Sequence, residues 1–368
     1  MTSRRQRKRF YKHEALMRYA RMLGFGEIHE KIDRETGLHA IIAIHSTKLG
    51  PAIGGSRFFS YHAAGAGIKD ALRLSYMMTL KAAVSNLQHG GAKAVIIKPA
   101  EIKDRKALFE AYGDFVHEMN GRYITAIDVG TSTEDMNVIA DRTPYVIGAT
   151  KVKDVDSDPS PHTALGVMHS IEAAVKFQLD KDNLDGVRIT IQGAGSVGYY
   201  LCKLLTERGA QISISDPKPG AIQRCIDDFG VTGVSTDEIY DTPCDIFTPC
   251  AMGGIINADT VKRLQCNMII GSANNQLAHH AVTEILQEKG ILYAPDFVVN
   301  SGGLINAAMV YDYQDASIAD AQIAKLYDTM LSLFERSKRE QKPTNIIAEE
   351  MAREKLGWTK RKEKIIVE

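Results

Sequence analysis

The sequence predicts an α/β protein of two domains, and three observations carry that prediction. The chain has 368 residues, more than a single hydrophobic core usually serves. From Leu38 onward, short runs rich in Ile and Val alternate with amphipathic stretches, the pattern of strands covered by helices. Finally, Gly193-Ala194-Gly195-Ser196-Val197-Gly198 stands between the strand-like RITIQ and the helix-like YYLCKLLTERG, the strand–turn–helix setting of a Rossmann domain.

The chain opens with a basic block, Arg4, Arg5, Arg7, Lys8 and Arg9, which reads as a solvated tail. LHAIIAIH, AVIIKP, RYITAID and YVIGAT read as strands, being short and β-branched. KDALRLSYMMTLKAAVSN and DRKALFEAYGDFVHEMNG read as helices with apolar residues three and four apart, the second ending at a C-cap at Gly121. The polar, proline-containing KVKDVDSDPSPHTALG marks a boundary near residue 148 and leads into a helix reaching about Phe177. Ser160 or Thr163 suits its cap and Pro161 its first position. After Asp185-Gly186 come RITIQG, QISISD, CDIFTPC, NMIIGS and ILYAPD with helical stretches between them, which implies a parallel sheet. From Ile318 the chain is helical and charged, and its last part, from residue 340, is assigned to the first domain. The expected division is residues 1–147 with 340–368, and 148–339.

Composition excludes several classes of function. Lys and Arg number 45, as do Asp and Glu, so no net field draws the chain to nucleic acid or an anionic membrane. No apolar run reaches spanning length, and none follows the basic block as a signal-peptide core. Cys202, Cys225, Cys244, Cys250 and Cys266 are odd in number and form no C-x-x-C pair, so free thiols in a reducing, cytoplasmic setting are expected. The histidines show no ligand spacing and His279-His280 is merely adjacent, so no metal is expected.

In the glycine fingerprint, Gly193 permits the tight turn, Gly195 lets backbone approach a pyrophosphate and Gly198 allows close helix–strand packing. Ala194, Ser196 and Val197 complete the loop, and amides at the helix N-terminus face the phosphates. The next strand, QISIS, ends at Asp216, placed to hold both ribose hydroxyls and to repel a 2′-phosphate, so NAD is expected over NADP. The plainer reading is that Asp216 starts a turn with Pro217. Ligands of such sheets lie outside the carboxyl ends of the strands, here Thr248-Pro249-Cys250-Ala251 and Ser272-Ala273-Asn274-Asn275. The asparagine amides suit a nicotinamide carboxamide or a substrate group, although Asn275 equally suits a turn. Cys250 suits a small packed side chain better than a nucleophile.

In the first half, Lys81 in MMTLKAAV and Lys93 in GGAKAVII sit in apolar surroundings, where lysine is uncommon unless paired. Lys81 alone is explained by snorkelling to solvent. Asp128 ends the strand RYITAI. Two lysines and a carboxylate suit an amino acid substrate: one cation holds the α-carboxylate, a second, neutralised by desolvation and a neighbouring cation, acts as base, and the aspartate exchanges protons with the amine.

With these residues in place, the sequence resembles the glutamate/leucine/phenylalanine/valine family of amino acid dehydrogenases, with the leucine dehydrogenase branch nearest in pattern. GPAIGGSR, DALRLSYMMTLKAA, GGAKAVII, GRYITAIDVGTSTEDM, PSPHTALG, CDIFTPCAMGGIIN, GSANNQL and YAPDFVVNSGGLIN fall in the family's order over nearly the whole chain. The resemblance implies an N-terminal substrate and oligomerisation domain, a C-terminal NAD domain, a cleft that closes between them, and a homo-oligomer of two to eight chains. By the same resemblance Lys81 binds the substrate carboxylate, Gly54 and Gly55 lie against the substrate, Lys93 activates water, Asp128 handles the amine proton, and Thr163 and Asn274 lie near nicotinamide and substrate. Glutamate-specific relatives carry a lysine before the glycine pair and a later serine. Ile53 and Ala307 stand at those places here, so a carboxylate side chain would lie unpaired among Ile53, Ala126, Leu304 and Ala307.

The expected activity is therefore reversible, NAD-dependent oxidative deamination of an apolar L-amino acid, with leucine, valine or isoleucine ahead of phenylalanine or another aromatic. The sequence departs from the branched-chain pattern at Ala92, Ile127 and Ala307, and the small Ala307 leaves room for larger side chains. A non-catalytic NAD-sensing regulator has no need of Lys81, Lys93 and Asp128 together. A nucleic-acid binder would rest on the Arg4–Arg9 block alone.

Overall fold

A computed structural model of the chain describes residues 16–150, 158–279, 281–315 and 317–358. The Arg4–Arg9 block, residues 151–157 of the polar boundary segment and His280 lie outside the described residues. Contacts divide the chain into two compact units. One ends before Asp158 and takes the chain back at Lys355, while the other is Asp158–Glu354.

The first unit is built on strands β1 (Glu27–Asp33), β2 (Leu38–Ser46), β3 (Ala52–Phe59), β4 (Gly90–Ile97) and β5 (Tyr123–Ile127), with helices α1 (Ala64–Val84), α2 (Arg105–Glu118) and α3 (Thr133–Ala140). The sheet runs β1-β2-β4-β3-β5. β3 is parallel to both β4 and β5, whereas β2 is antiparallel to β1 and β4, so this sheet is mixed. One face packs Ile42, Ile44, Ala92, Ala94 and Tyr123 against Phe109, Tyr112 and Ile139 of α2 and α3. The other face is covered by α1, and here the glycine pair explains itself. A Cβ on Gly91 would overlap the backbone nitrogen of Thr79 in α1, and one on Gly90 would overlap the carbonyl oxygen of Ser46. Helix and strand therefore meet backbone to backbone just before Lys93.

YVIGAT does not form a strand. It makes one bridge, Thr125 to Val146, beside β5. The amide of Thr125 donates to Tyr145 and that of Ile147 to Thr125, but Gly148 at φ +89° then turns the chain away and pairing stops. Helix α2 ends at Glu118 with Met119 as its C-cap, two residues earlier than Gly121.

The second unit holds β6 (Arg188–Gln192), β7 (Gln211–Ser215), β8 (Thr232–Gly233), β9 (Ile246–Pro249), β10 (Met268–Ile269) and β11 (Leu292–Tyr293) in the order β11-β10-β9-β6-β7-β8. Every pairing in it is parallel. Helices α4 (Ser160–Leu179), α5 (Ser196–Thr206), α6 (Pro219–Phe229), α7 (Ala258–Arg263) and α8 (Val282–Glu288) accompany these strands. Then α9 (Asp296–Val299), α10 (Gly302–Tyr313), α11 (Ser317–Ala324), α12 (Leu326–Glu340) and α13 (Thr344–Lys355) follow. NMIIGS and ILYAPD shrink to two-residue strands at one edge. At the start of α4 neither Ser160 nor Thr163 caps. The Asp158 carboxylate accepts the Ser160 amide at 2.9 Å, and Thr163 Oγ1 donates back to the Pro159 carbonyl at 2.8 Å.

The backbone contact at Gly91 yields a stability prediction. Gly91→Ala forces α1 off β4, and overpacking of this kind costs about 1–3 kcal/mol or more. Denaturant unfolding should show a loss at the top of that range. A variant as stable as the parent would mean that the helix does not rest on this glycine.

Candidate active site

In the first unit the strand period places Gly55 and Arg57 of β3 on one face, and on that face Lys93 from β4 and Asp128 from the end of β5 meet. Lys93 Nζ lies 2.5 Å from Asp128 Oδ2, with Lys93 only 7% exposed. Gly55 is the space that admits them. A Cβ there would stand 2.8 Å from Asp128 Cβ and 3.4 Å from Lys93 Nζ. Gly54 makes room elsewhere, since its Cβ would overlap the Ala92 carbonyl of β4. Thr131 Oγ1, 2.9 Å from the Asp128 amide and 3.1 Å from the Ser56 carbonyl, pins the turn after β5.

Sequence reading missed Arg57, whose Nε donates to the same Asp128 Oδ2 at 3.2 Å while Nη1 donates to Asp70 Oδ2 on α1 at 2.8 Å. Its signal was present in GPAIGGSR, two residues after Gly55 and thus on the same strand face. Burial pushes the Lys93 ammonium below the usual lysine range, and Arg57 adds to this while Asp128 opposes it. Burial also works to raise Asp128, but the Lys93 and Arg57 cations outweigh it and hold the carboxyl below its ordinary value. The site therefore carries an ionised aspartate beside a lysine that loses its proton more readily than a free one. Arg57 is the cation the structure sets against this pair. Lys81 is half-buried on α1, three turns beyond Asp70.

Of the residues expected around an apolar substrate, Ile53 is buried on β3 and Ala126 half-buried on β5 in the first unit. Leu304 and Ala307 belong to the second, three apart on α10 and both half-buried. The departures at Ala92 and Ile127 turn away from the ion pair. Ala92 lies in the core between sheet and α2, and Ile127 packs against that core with its Cδ1 towards Gly148.

In the second unit the three fingerprint glycines have three distinct reasons. Gly193 takes φ +106°, and a Cβ on it would stand 2.9 Å from Ala251 Cβ. Gly195 faces open space, as backbone that a ligand approaches must. Gly198 packs onto the Gly193 carbonyl, seating α5 on β6. Ala194 is buried, Ser196 exposed and Val197 half-buried at the start of α5. Asp216 makes the turn: Oδ1 accepts the Lys218 amide at 2.8 Å after Pro217, while Oδ2 accepts the Ala194 amide of the fingerprint loop at 2.9 Å. A carboxylate has about four acceptor sites, so two remain for ribose hydroxyls. Where β6, β7 and β9 end, Gln192 Oε1, Ser215 Oγ and Thr248 Oγ1 are buried without a hydrogen-bond partner, a condition that a polar ligand relieves. The residues present thus fit a bound NAD.

The remaining positions behave variously. Cys250 is half-buried and burial pushes its thiol up, which disfavours a nucleophilic thiolate. Ala251 is exposed beside the fingerprint. Asn275 is exposed at φ +52° and its carbonyl accepts the Gly254 amide, the behaviour of a turn residue. Asn274 has its Oδ1 held at 2.8 Å by the Asn300 amide, which also reaches the Ser272 carbonyl at 3.0 Å. Sequence reading missed Asn300, although it stands within the quoted YAPDFVVNSGGLIN. Thr163 is half-buried on α4, and the lack of a side chain at Gly303 admits its hydroxyl, 2.8 Å from where a Cβ would be. Among the described residues no group of three His, Cys, Asp or Glu side chains is placed to hold a metal ion, and no helix is long and apolar enough to cross a membrane.

A parallel sheet with this fingerprint, together with a buried lysine–aspartate pair on a mixed sheet, defines a two-domain, dinucleotide-dependent oxidoreductase. Residues 25–145 match the dimerisation domain of the Glu/Leu/Phe/Val dehydrogenases, and residues 158–225 and 222–353 match the glutamate/leucine/phenylalanine/valine dehydrogenase domain. The chain belongs to this family and is an NAD-dependent amino acid dehydrogenase. It is 44% identical over 324 residues to a leucine dehydrogenase of Thermoactinomyces intermedius, covering 88% of each chain. It is 43% identical over 325 residues to an L-tryptophan dehydrogenase of Nostoc punctiforme, covering 88% of this chain and 91% of that one. A crystal structure of the Nostoc enzyme superposes with TM-score 0.84 over 93% of this chain and 98% of that chain. Glutamate dehydrogenase from Peptoniphilus asaccharolyticus, at 18% identity and TM-score 0.74 over 95% of this chain and 97% of that one, shares the fold.

Asp216→Ala removes an acceptor from the fingerprint loop and the negative charge near the ribose. NAD binding, measured by calorimetry, should weaken about tenfold, the scale of a hydrogen bond to a charged group, and the preference over NADP should narrow. Unchanged affinity and preference would reduce Asp216 to a turn residue.

Proposed function

We propose that this dehydrogenase catalyses reversible oxidative deamination of an apolar L-amino acid to its 2-oxo acid and ammonia, with leucine, valine or isoleucine preferred. The observation that carries this reading is the buried Lys93–Asp128 pair beside Gly55, in a chain of this family. Bound NAD supplies the hydride acceptor, and the Gly193–Gly198 loop, Asp216 and the strand ends near Cys250, Ala251, Asn274 and Asn275 are the residues that would hold it, with Thr163 close to its nicotinamide.

The chain's own groups divide the remaining work. Lys81 anchors the substrate α-carboxylate. When Cα has lost its hydride and the nitrogen is an iminium, neutral Lys93 takes a proton from the water that adds to that carbon. Asp128, ionised at neutral pH, exchanges protons with the nitrogen as it leaves as ammonia. Gly54 and Gly55 bring backbone against the substrate. Ile53, Ala126, Leu304 and Ala307 give its side chain apolar surroundings, in which a glutamate carboxylate would lose hydration without gaining a partner.

An aromatic substrate is the second reading. It rests on the small side chain of Ala307 and on a tryptophan dehydrogenase standing within one percentage point of a leucine dehydrogenase in identity. We further infer a homo-oligomer, since the first unit matches a dimerisation domain, and a cytoplasmic setting, since the five cysteines are free thiols.

A panel of L-amino acids followed by NADH absorbance tests the reading directly. Leucine, valine and isoleucine should outpace glutamate by at least about a hundredfold, as expected for a buried unpaired carboxylate. Strong turnover of glutamate with none of leucine or tryptophan would refute it. Lys93→Ala should lower kcat/KM by about 10²–10⁴-fold, the usual worth of a general base. Because Lys93 acts when neutral and its pKa is lowered, kcat/KM should rise with pH through a midpoint below about 10.4, the value of free lysine. A profile with no such rise would remove Lys93 from the role of base.

A further inference from the structure

Arg57 does not merely neutralise Asp128. Its guanidinium spans two carboxylates on two elements, Asp128 at the end of β5 and Asp70 on α1. Asp70 is itself held by the Tyr61 hydroxyl at 2.7 Å and by Arg73 Nη2 at 3.1 Å. Charges therefore alternate along a continuous chain: Arg73, Asp70, Arg57, Asp128, Lys93. Each is partly or fully withdrawn from water, so neighbouring charges are weakly screened. Arg57 and Lys93 also compete for the same oxygen, Asp128 Oδ2.

We propose that Arg57 is a positioning residue that divides Asp128 with Lys93 and, with Asp70 behind it, sets how firmly the carboxylate holds the Lys93 proton. The proposal rests on the reading that Lys93 is the base of the reaction. Competition at one oxygen gives each link a sign. Removing the Arg57 charge leaves Asp128 wholly to Lys93 and takes away a repelling cation, so Lys93 keeps its proton more tightly. Removing the Asp70 charge leaves Arg57 unbalanced, raises the positive potential at Lys93 and makes the proton easier to lose. These directions match the effects of the two groups on Lys93, which Arg57 lowers and Asp70 raises. Other ionisable groups on the surrounding elements include Lys69 and Lys81 on α1, Tyr61 after β3, Tyr112 on α2 and Tyr123 on β5. Burial pushes Tyr61, Tyr112 and Tyr123 up, so all three stay neutral through the range concerned.

The test compares R57Q, R57K and D70N in the full chain. Lys93 is titrated by NMR of isotopically methylated lysines, assigned with K93R, alongside the pH profile of kcat/KM. R57Q should raise the Lys93 midpoint by about one pH unit, a modest value for a charge this close, and D70N should lower it. R57K keeps the charge but cannot span both carboxylates, so its midpoint should stay near the parent's while kcat falls. A purely structural arginine would move neither midpoint, or would move R57Q and D70N in the same direction, and either result overturns the proposal. If R57Q does not fold, D70N and R57K still decide it, because D70N must shift downward and R57K must not shift. Absence of amino acid turnover in the parent would sink the functional reading alone, since the NMR midpoints are measured without turnover.

Discussion

The first unit is organised around one carboxylate shared by two cations. Asp128 sits at the end of a sheet strand with Lys93 on one side and Arg57 on the other, its side chain 18% exposed. A charge so placed is stable only when its partners are fixed, because removing one leaves the others buried and unpaired at a cost of several kcal/mol. The surrounding backbone serves that requirement. Gly91 lets α1 rest directly on β4, Gly55 clears the volume in which the pair meets, and Thr131 ties down the turn that presents the carboxylate.

A buried ion pair is weak grounds for stability, since well-packed apolar residues of similar size usually serve as well or better. The interest of this one lies in its asymmetry. One anion faces two cations, so the aspartate remains ionised while the more deeply buried lysine is driven toward neutrality. A carboxylate held ionised beside a lysine that gives up its proton more readily than a free one suits proton-transfer chemistry at one site. A simple Lys–Asp pair would tighten the lysine's hold on its proton. Burial of the lysine opposes that most strongly, and the arginine adds to it.

Much of this was legible in the sequence because it follows from spacing. The fingerprint from Gly193 to Gly198 sits between a strand and a helix, and the turn at Gly193 and the close packing at Gly198 follow from their positions. Lys93 and Asp128 were conspicuous as charges beside apolar strands. Arg57 was not, because an arginine beside SRFFSY at a strand end looks like any solvated cation until pairing brings β3, β4 and β5 together. Strand β1 was missed for a related reason: its Ile28 and Ile32 face outward on an edge strand while charged residues alternate with them, so the usual pattern of apolar burial is absent. YVIGAT was over-read because its Ile and Val resemble a strand, yet Gly148 at φ +89° takes the chain off the sheet edge. Asn300 was overlooked because its role is to hold the side chain of Asn274, and a contact between residues so far apart in the chain has no local signature.

Strand periodicity also explains why the departures from the family pattern are tolerable. Residues of a strand alternate between faces, so a substitution next to a functional residue falls on the opposite side of the sheet. Ala92 precedes Lys93 and Ile127 precedes Asp128, and both project toward the core under α2 and α3 rather than toward the ion pair. The methyl of Ala92 and the branched side chain of Ile127 therefore add apolar packing behind the sheet while the face carrying Gly55, Arg57, Lys93 and Asp128 keeps its chemistry. The change at Ala307 is different in kind. It lies half-buried on α10, outside that sheet, where side-chain volume rather than charge is what varies. On the proposed reading the two variables are separated by location: proton chemistry belongs to one sheet face of the first unit, and the difference that bears on side-chain size to a helix of the second.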